Sequence, residues 1–304
     1  MTHPSVPRRD FLKLAASAAV VGGVAGLSAR GEEEPSSAAG MKKAVKFGMI
    51  QTDGSILDKF RLLKELGFDG VELDGGHHEQ REEFARARDE SGLPIHGMVY
   101  GASWGDQLSH ADAEVRARGV AGLRRAIEDS KFYGGTTVLL IPGVVSKEVS
   151  YDAAYERSQP EIRKALPLAE ELGTTVAIEN VWNNFLVSPL ETARYIDEIG
   201  SANFGAYFDV GNVLRYGWPE QWIRILGKRI VKLDIKEYSL VKQQEEGLYA
   251  GFVDLWEGDC DWPAVMAALR EIGFTSGWGT AEIAGGGRER LADIAEKMDR
   301  IWLS

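Results

Sequence analysis

The sequence predicts a single-domain α/β protein, a (β/α)8 TIM barrel, and three observations lead to this prediction. From residue 44 onward, short apolar runs alternate with amphipathic stretches about every 30 residues, as strands alternate with helices. Four of the amphipathic stretches end in a glycine, which supplies a left-handed cap before the next strand: Gly67, Gly173, Gly200 and Gly273. Eight such units in about 260 residues close most naturally into one barrel.

The candidate strands are eight short apolar runs: Val45–Gln51, Gly70–Leu73, Pro94–Val99, Thr136–Ile141, Val176–Asn180, Gly205–Asp209, Ile230–Lys236 and Gly279–Ile283. A doubly wound open sheet is the competing architecture. That fold would place a glycine-rich phosphate-binding turn after its first strand. The segment 49–55 contains a single glycine, Gly54, so the barrel is favoured. The stretch Tyr238–Gly258, after the seventh strand, is long for a loop and is expected to cover an active site.

The amino-terminal segment differs in composition from the rest of the chain. Arg8 and Arg9 precede Phe11-Leu12-Lys13 and a mild apolar run rich in alanine and glycine. The run is about 14 residues long, too short to span a bilayer, so no stable membrane insertion is expected. This order is typical of a twin-arginine (Tat) export signal, and a basic disordered tail is the alternative.

The predicted organisation follows from this segment and the barrel pattern. We expect a Tat-type signal peptide over residues 1–30, a flexible linker over 31–41 and the barrel over 42–304. The protein is then expected in the periplasm or outside the cell. The formal net charge of −11 would repel phosphate backbones, so no nucleic-acid partner is expected. Cys260 is the only cysteine, so no internal disulfide can form.

Carboxylates end four consecutive candidate strands, the fifth to the eighth. They are Glu179, Asp209, Asp234 and Glu282. Chemistry in a TIM barrel takes place at the carboxyl ends of the strands, so these four side chains are expected to converge. Four facing carboxylates repel one another unless their pKa values rise or a divalent cation lies among them. Oxygen ligands of this kind favour Mg²⁺ or Mn²⁺.

The segments around these carboxylates resemble a known superfamily. A-I-E-N, Y-F-D-V-G-N, V-K-L-D-I-K-E-Y, E-G-D-C-D-W and A-E-I-A-G-G are similar to the xylose isomerase-like TIM barrels. Within that superfamily they are closest to the sugar phosphate isomerase/epimerase group, which includes ketose 3-epimerases and hydroxypyruvate isomerases. The resemblance extends over about residues 44–302 and implies a small-molecule sugar as substrate. It leaves a homo-oligomer open.

The resemblance also implies roles for individual residues. Glu179, Asp209 and Glu282 match three metal ligands of the group, and the two glutamates match its acid/base pair. Asp234 stands where the fourth ligand is usually histidine, and Asn212 stands where a substrate-binding histidine is usual. The reaction expected is removal and return of a proton through an enediolate, giving epimerisation or aldose–ketose isomerisation.

Further candidates for substrate binding lie near the strand ends, each with a structural alternative. Lys236 is either a donor to a substrate hydroxyl or a member of an ion pair. Glu72 is either a hydrogen-bond partner of substrate or a cap at a strand edge. His96 either lines the pocket or is structural. Trp182 either stacks on a sugar or packs in the core. With Gly285-Gly286-Gly287-Arg288 as the only phosphate-like motif, the acidic chain favours a neutral sugar over a sugar phosphate.

Three other functions compete with the isomerase/epimerase interpretation. A lyase or dehydratase, similar to inosose dehydratase, would use the same enolate with a leaving group on the next carbon. An apurinic endonuclease would need a histidine-rich zinc cluster and a basic DNA face, whereas all five histidines lie in the first 110 residues. A non-catalytic sugar-binding barrel is favoured by the replaced histidines and disfavoured by the retained glutamate pair.

Overall fold

The computed structural model of the protein describes residues 40–75 and 77–304, and it confirms the predicted barrel. The barrel has eight parallel strands: β1 Met41–Lys46, β2 Gly70–Leu73, β3 Ile95–Val99, β4 Thr137–Leu140, β5 Thr175–Glu179, β6 Phe204–Asp209, β7 Ile230–Ile235 and β10 Gly277–Ala281. They close in the order β1-β10-β7-β6-β5-β4-β3-β2, and the short strands β8 Glu237–Tyr238 and β9 Phe252–Val253 form a separate pair. The predicted signal peptide and most of the predicted linker lie outside the described residues.

Helices alternate with the strands along the chain, and the longer ones pack around the outside of the barrel. The helices are α1 Ile56–Glu65, α2 Arg81–Ser91, α3 Ala113–Phe132, α4 Tyr151–Leu172, α5 Pro189–Ile199, α6 Val210–Val213, α7 Pro219–Leu226, α8 Leu240–Glu246, α9 Trp262–Glu271 and α10 Arg288–Trp302. Gly173 and Gly200 end α4 and α5 in the predicted left-handed conformation, at φ 66° and 74°. Within residues 40–75 and 77–304, no helix is long and apolar enough to cross a membrane.

The first strand differs from the sequence prediction. It runs from Met41 to Lys46, whereas the apolar run had suggested Val45–Gln51, and Phe47–Met49 form a 3-10 turn. The apolar run was misleading because lysines occupy strand positions here, and long lysine stems can lie along a strand while their charges find partners. The shift matters for function, since it places Lys46 at the carboxyl end of β1.

The barrel interior carries a hydrogen-bonded polar layer where such barrels usually hold branched aliphatic side chains. The Tyr207 hydroxyl donates to Glu72 Oε1 over 2.9 Å and lies 3.0 Å from Thr280 Oγ1. His96 Nε2 lies 3.1 Å from Thr280 Oγ1, and Lys232 Nζ lies 2.9 Å from His96 Nδ1. Because every one of these side chains is buried, the layer forms a rigid floor beneath the carboxyl ends of the strands.

Candidate metal centre and active site

The four strand-end carboxylates meet at one point. One oxygen of each of Glu179, Asp209, Asp234 and Glu282 lies within 4.8 Å of the corresponding oxygens of the other three. The parallel register explains this convergence, since Asp209 is directly opposite Asp234 across β6 and β7. Glu282 follows the last residue of β10, where its backbone N–H still donates to Ile235 O over 3.1 Å.

Two lysines contact this cluster, the buried Lys46 and the partly buried Lys236. Lys46 Nζ lies 3.0 Å from Asp234 Oδ1 and 3.7 Å from Glu282 Oε2, while Glu72 Oε2 accepts from it over 2.5 Å below. Lys236 Nζ lies 3.0 Å from Asp209 Oδ2 and 3.3 Å from Glu282 Oε1. The two lysines do not balance the four cluster carboxylates, so an excess of negative charge remains. Glu72, a fifth carboxylate bound to Lys46, increases this excess.

This excess of negative charge is visible in the pKa values of the carboxyl groups. Burial raises the pKa of Glu179 well above its usual range, and the charge of Glu282 raises it further. Burial likewise raises the pKa of Asp234 and of Asp209, against the opposing lysines. Burial also acts to raise the pKa of Glu282, but Lys236 and Lys46 outweigh it, so that this pKa lies below its usual value.

The donor set fits a divalent metal ion. Three buried oxygens, Asp209 Oδ2, Asp234 Oδ1 and Glu282 Oε2, form no aligned hydrogen bond among the described residues and face lysine nitrogens only as ion pairs, over 3.0, 3.0 and 3.7 Å. Two lysines cannot neutralise four converging carboxylates, and a divalent cation would supply the missing positive charge. Four carboxylates with no nitrogen or sulfur donor suit hard ions such as Mg²⁺ and Mn²⁺.

Two asparagines hold the cluster in place. The Asn180 side chain accepts from Asp209 N over 2.9 Å and donates to Asp209 O over 2.8 Å, so it fixes the backbone at the end of β6. Asn212 donates through its backbone to Asp209 Oδ1 over 2.7 Å. Its side chain donates to Asn180 O over 3.1 Å and to Glu179 Oε1 over 3.4 Å. Asn212 therefore orients two of the carboxylates.

A cavity of about 500 Å³ opens above the carboxylates. Its walls include Trp104, Trp182, Tyr249 and Phe252, and Trp182 stacks on Phe252 with ring centroids 4.8 Å apart. The Trp182 indole N–H donates to Asn212 O over 2.9 Å, so the ring is fixed next to the cluster. Aromatic walls around a polar centre are suited to sugar rings.

Part of this wall comes from the long segment after β7. The segment folds into the short strands β8 Glu237–Tyr238 and β9 Phe252–Val253, which pair antiparallel, with α8 between them. Glu237 anchors the segment from inside, because its buried carboxylate accepts from Trp262 Nε1 over 2.8 Å and from Cys260 N over 3.0 Å. The segment therefore stands over the carboxyl ends of the strands, as its length had suggested.

The structure places the sequence-predicted substrate residues in two groups. Lys236, Asn212 and Trp182 line the cavity. Glu72 and His96 do not, because both belong to the polar layer below, where Glu72 is bound by Lys46 and His96 is stacked on Trp278 at 4.3 Å. Burial and the neighbouring Lys232 hold the pKa of His96 well below its usual value, as expected of a neutral structural histidine.

Sequence reasoning missed three residues of the site. Lys46 was missed because the first strand was placed too late, although Lys42 and Lys46, four residues apart and therefore on one face of a strand, were a signal. Asp74 lies one residue beyond β2 and lines the cavity in place of Glu72. Asn180 directly follows Glu179. An asparagine after a strand is common and does not by itself indicate a functional residue, so only the fold shows that its side chain hydrogen-bonds to the backbone of β6.

The fold and the carboxylate cluster together define a class of protein. The chain belongs to the xylose isomerase-like TIM barrel family, whose sequence pattern matches residues 60–303. It is similar to the L-ribulose-5-phosphate 3-epimerase of Salmonella paratyphi C (strain RKS4594), with 24% identity over 72% of this chain and 78% of the relative. It is also similar to the 2-epi-5-epi-valiolone 7-phosphate 2-epimerase of Actinoplanes sp., with 23% identity over 54% of this chain and 60% of the relative.

Solved structures share the same fold. The apo 3-keto-D-glucoside 4-epimerase from E. coli superposes with a TM-score of 0.72 and 19% identity, covering 87% of this chain and all of that one (100%). A D-tagatose 3-epimerase-like protein superposes with a TM-score of 0.73 and 20% identity, covering 86% of this chain and 97% of that one. At these identities the likeness establishes the common barrel.

Proposed function

We propose that the protein is a divalent-metal-dependent sugar isomerase or epimerase that works through an enediolate of its substrate. The observation that carries this proposal is the placement of Glu179 and Glu282. Both lie at the mouth of the barrel, both line the cavity, and their carboxylates converge with those of Asp209 and Asp234. Two carboxylates beside one polar cavity are a suitable pair for removing and returning a proton.

In the proposed mechanism, four carboxylates of this chain bind the metal ion and two of them also transfer protons. Glu179, Asp209, Asp234 and Glu282 would hold the metal ion. When bound, the ion supplies Lewis-acid stabilisation of negative charge on neighbouring substrate oxygens. One of the two glutamates takes the proton from the carbon beside the carbonyl, and the other returns a proton. Return to the opposite face of the same carbon is epimerisation, and return to the neighbouring carbon is isomerisation.

Other residues orient the reacting groups and exclude water. Asn212 donates to Glu179 Oε1 and so holds that carboxylate toward the cavity. Lys236, between Asp209 and Glu282, presents a cation to a substrate oxygen. The aromatic wall of Trp182 and Phe252 limits access of solvent to the reacting carbon. The proteins that this chain resembles in sequence are named as epimerases, which supports the proposal. We propose Mg²⁺ or Mn²⁺ as the ion.

The experiment that tests the proposal is a screen of ketoses and aldoses in deuterated water with added Mn²⁺. An isomerase or epimerase incorporates deuterium at the carbon beside the carbonyl and changes the configuration or the position of the carbonyl. A lyase would release water from the same substrates, and a non-catalytic sugar-binding barrel would leave every sugar unlabelled. Either of these results contradicts the proposal.

We also propose that the protein is exported through the twin-arginine route. The support is in the sequence alone, where Arg8 and Arg9 precede Phe11-Leu12-Lys13 and a weak apolar run. A protein that folds before crossing the membrane can acquire its metal in the cytoplasm. The single cysteine accords with this route, since no disulfide has to form after export.

A further inference from the structure

The positive charge in the cavity is already committed to carboxylates. The cations among the described residues that line it are Lys46 and Lys236. Lys46 is bound by Glu72 and Asp234, and Lys236 lies between Asp209 and Glu282. Neither lysine can neutralise a phosphate without giving up carboxylate partners in a buried setting, which is costly.

The arginine side chains at the start of α10 are paired with carboxylates as well, Arg288 with Glu65 and Arg290 with Asp254. This position follows the last barrel strand, where TIM barrels often bind phosphate. Arg290 donates from Nη1 to Asp254 Oδ2 over 2.8 Å, and its Nη2 donates to the other oxygen of Asp254. Arg290 Nη1 also donates to Asp293 Oδ2 over 2.9 Å, and its Nε donates to Ala284 O over 3.1 Å. The Gly286 amide donates to Met49 O over 3.0 Å.

Carboxylates lie around the mouth of the site. Asp254 lines a neighbouring cavity of about 370 Å³ together with Lys236 and Glu282, next to the start of α10. Asp74 lines the main cavity on the side of β2, where its Oδ2 accepts from Gly48 N over 2.5 Å. Carboxylates repel a phosphate and accept hydrogen bonds from hydroxyl groups. Arg215, a nearby exposed cation, lies over the face of Trp182, 5.1 Å from the ring centroid, and is not a cavity-lining residue.

We infer that the substrate of this site is an uncharged sugar, whose far end is held by aromatic faces and by Asp74 rather than by a phosphate contact. This inference rests on the proposed function and adds the class of substrate. It separates the protein from relatives whose names specify phosphorylated sugars. The exposed rings at the rim, Trp104 and Tyr249, are 50% and 75% accessible and are available to stack on such a sugar.

A matched pair of ligands tests the inference. Ketoses and their terminal phosphates, such as D-fructose and D-fructose 6-phosphate, are titrated calorimetrically into the Mn²⁺-loaded protein. Both members present the same carbonyl end to the cluster, so the difference in affinity reports on the far end. We expect the unphosphorylated member to bind at least tenfold more tightly. Asp254→Asn removes the charge of one carboxylate partner of Arg290 and should narrow this difference in affinity severalfold. Asp89→Asn, the same change of charge on α2 away from the cavity, should leave the difference unchanged.

The outcomes separate the inference from the proposed function. Tighter binding of the phosphorylated member overturns the inference while leaving the enediolate chemistry in place. If that binding is lost in Arg215→Ala, Arg215 is the phosphate contact. Binding of the unphosphorylated member without deuterium exchange upholds the inference and refutes the proposed function. Binding of neither member, across a panel of such pairs, refutes both.

Discussion

Lys46 Nζ lies between two fully buried carboxylates, 3.0 Å from Asp234 Oδ1 and 2.5 Å from Glu72 Oε2. One lysine at the end of β1 thus joins β2 to β7 through the barrel interior and connects the polar floor to the metal centre. Burial acts to lower its pKa, but Asp234 and Glu72 outweigh burial and raise that pKa well above the usual value. Lys46 is therefore charged in the folded protein.

Replacing this lysine should destabilise the protein. Lys46→Met leaves Glu72 buried and without its cation, and breaking a buried pair on one side costs about 3–5 kcal/mol of unfolding free energy. The double variant Lys46→Met/Glu72→Gln should recover part of that loss, because the remaining buried charge is removed. Urea denaturation measures both values, with Lys242→Met on the exposed face of α8 as the control. A loss below about 1 kcal/mol, in the range of surface pairs, would contradict the assignment.

Glu179→Gln and Glu282→Gln should each abolish exchange of the substrate C–H hydrogen with solvent. Glutamine keeps the shape of the side chain but cannot take or give the proton, and loss of a general acid or base costs about 10²–10⁴-fold in rate. Deuterium incorporation measured by NMR is the readout, and circular dichroism checks the fold. Glu245→Gln on the exposed side of α8 serves as the matched control. Full exchange in either active-site variant would remove that glutamate from the acid/base role.

Removing the metal should make stability depend on pH. The folded-state pKa values of Glu179, Asp209 and Asp234 are raised above their unfolded values. Their contribution to the stability of metal-free protein is therefore fully present below about pH 4 and is lost as the pH rises through the folded-state values. Glu282, whose pKa is lowered with the help of Lys46 and Lys236, acts in the opposite direction but is one group against three.

The measurement is the melting temperature with chelator and with excess Mn²⁺ across mildly acidic to neutral pH. We expect the stabilisation by Mn²⁺ to grow as the pH rises, since the ion then replaces protons on the cluster. The variant Glu179→Gln/Asp234→Asn should lose most of this pH dependence. A chelator effect of the same size at every pH would show that the cluster carboxylates do not titrate in the metal-free protein.

Asp234→His should shift metal preference rather than abolish binding. Imidazole at this position restores the donor that is usual in the family, and nitrogen donors favour Co²⁺ and Zn²⁺ over Mg²⁺ and Mn²⁺. The change also removes one of the carboxylates bound to Lys46. Competition titrations with the four ions give the order of affinities for both proteins. Tightly held zinc in the unmodified protein, unaffected by changes at Asp234, would show that this residue is not a ligand.

Replacing Arg8 and Arg9 by lysines should retain the protein in the cytoplasm without changing its activity. The twin-arginine route recognises the two arginine side chains themselves, so two lysines of the same charge do not replace them. Fractionation followed by an assay of each compartment tests this, with a Lys13→Arg variant as the control. Unchanged export of the double variant would point to the general secretory route.

Much of the site followed from sequence periodicity, for physical reasons. Parallel strands in a closed barrel end at one rim, so Glu179, Asp209, Asp234 and Glu282 could be assigned to one place from their positions alone. Glycine at the end of α4 and α5 could be predicted because only glycine enters the left-handed region at little cost. The closed topology followed from the count of strand–helix units.

Only the tertiary structure decided which charges neutralise one another. Lys46 and Asp234 are 188 residues apart in the chain, and their contact depends on the stagger of β1 against β10 and β7 rather than on any local pattern. In the same way, the registers of β2 with β1 and with β3 place Glu72 and His96 below the cavity, whereas Asp74, two residues beyond Glu72, lies inside it. A strand period of two determines which face a side chain takes, whereas depth within the barrel depends on register, which the sequence specifies only through long-range packing.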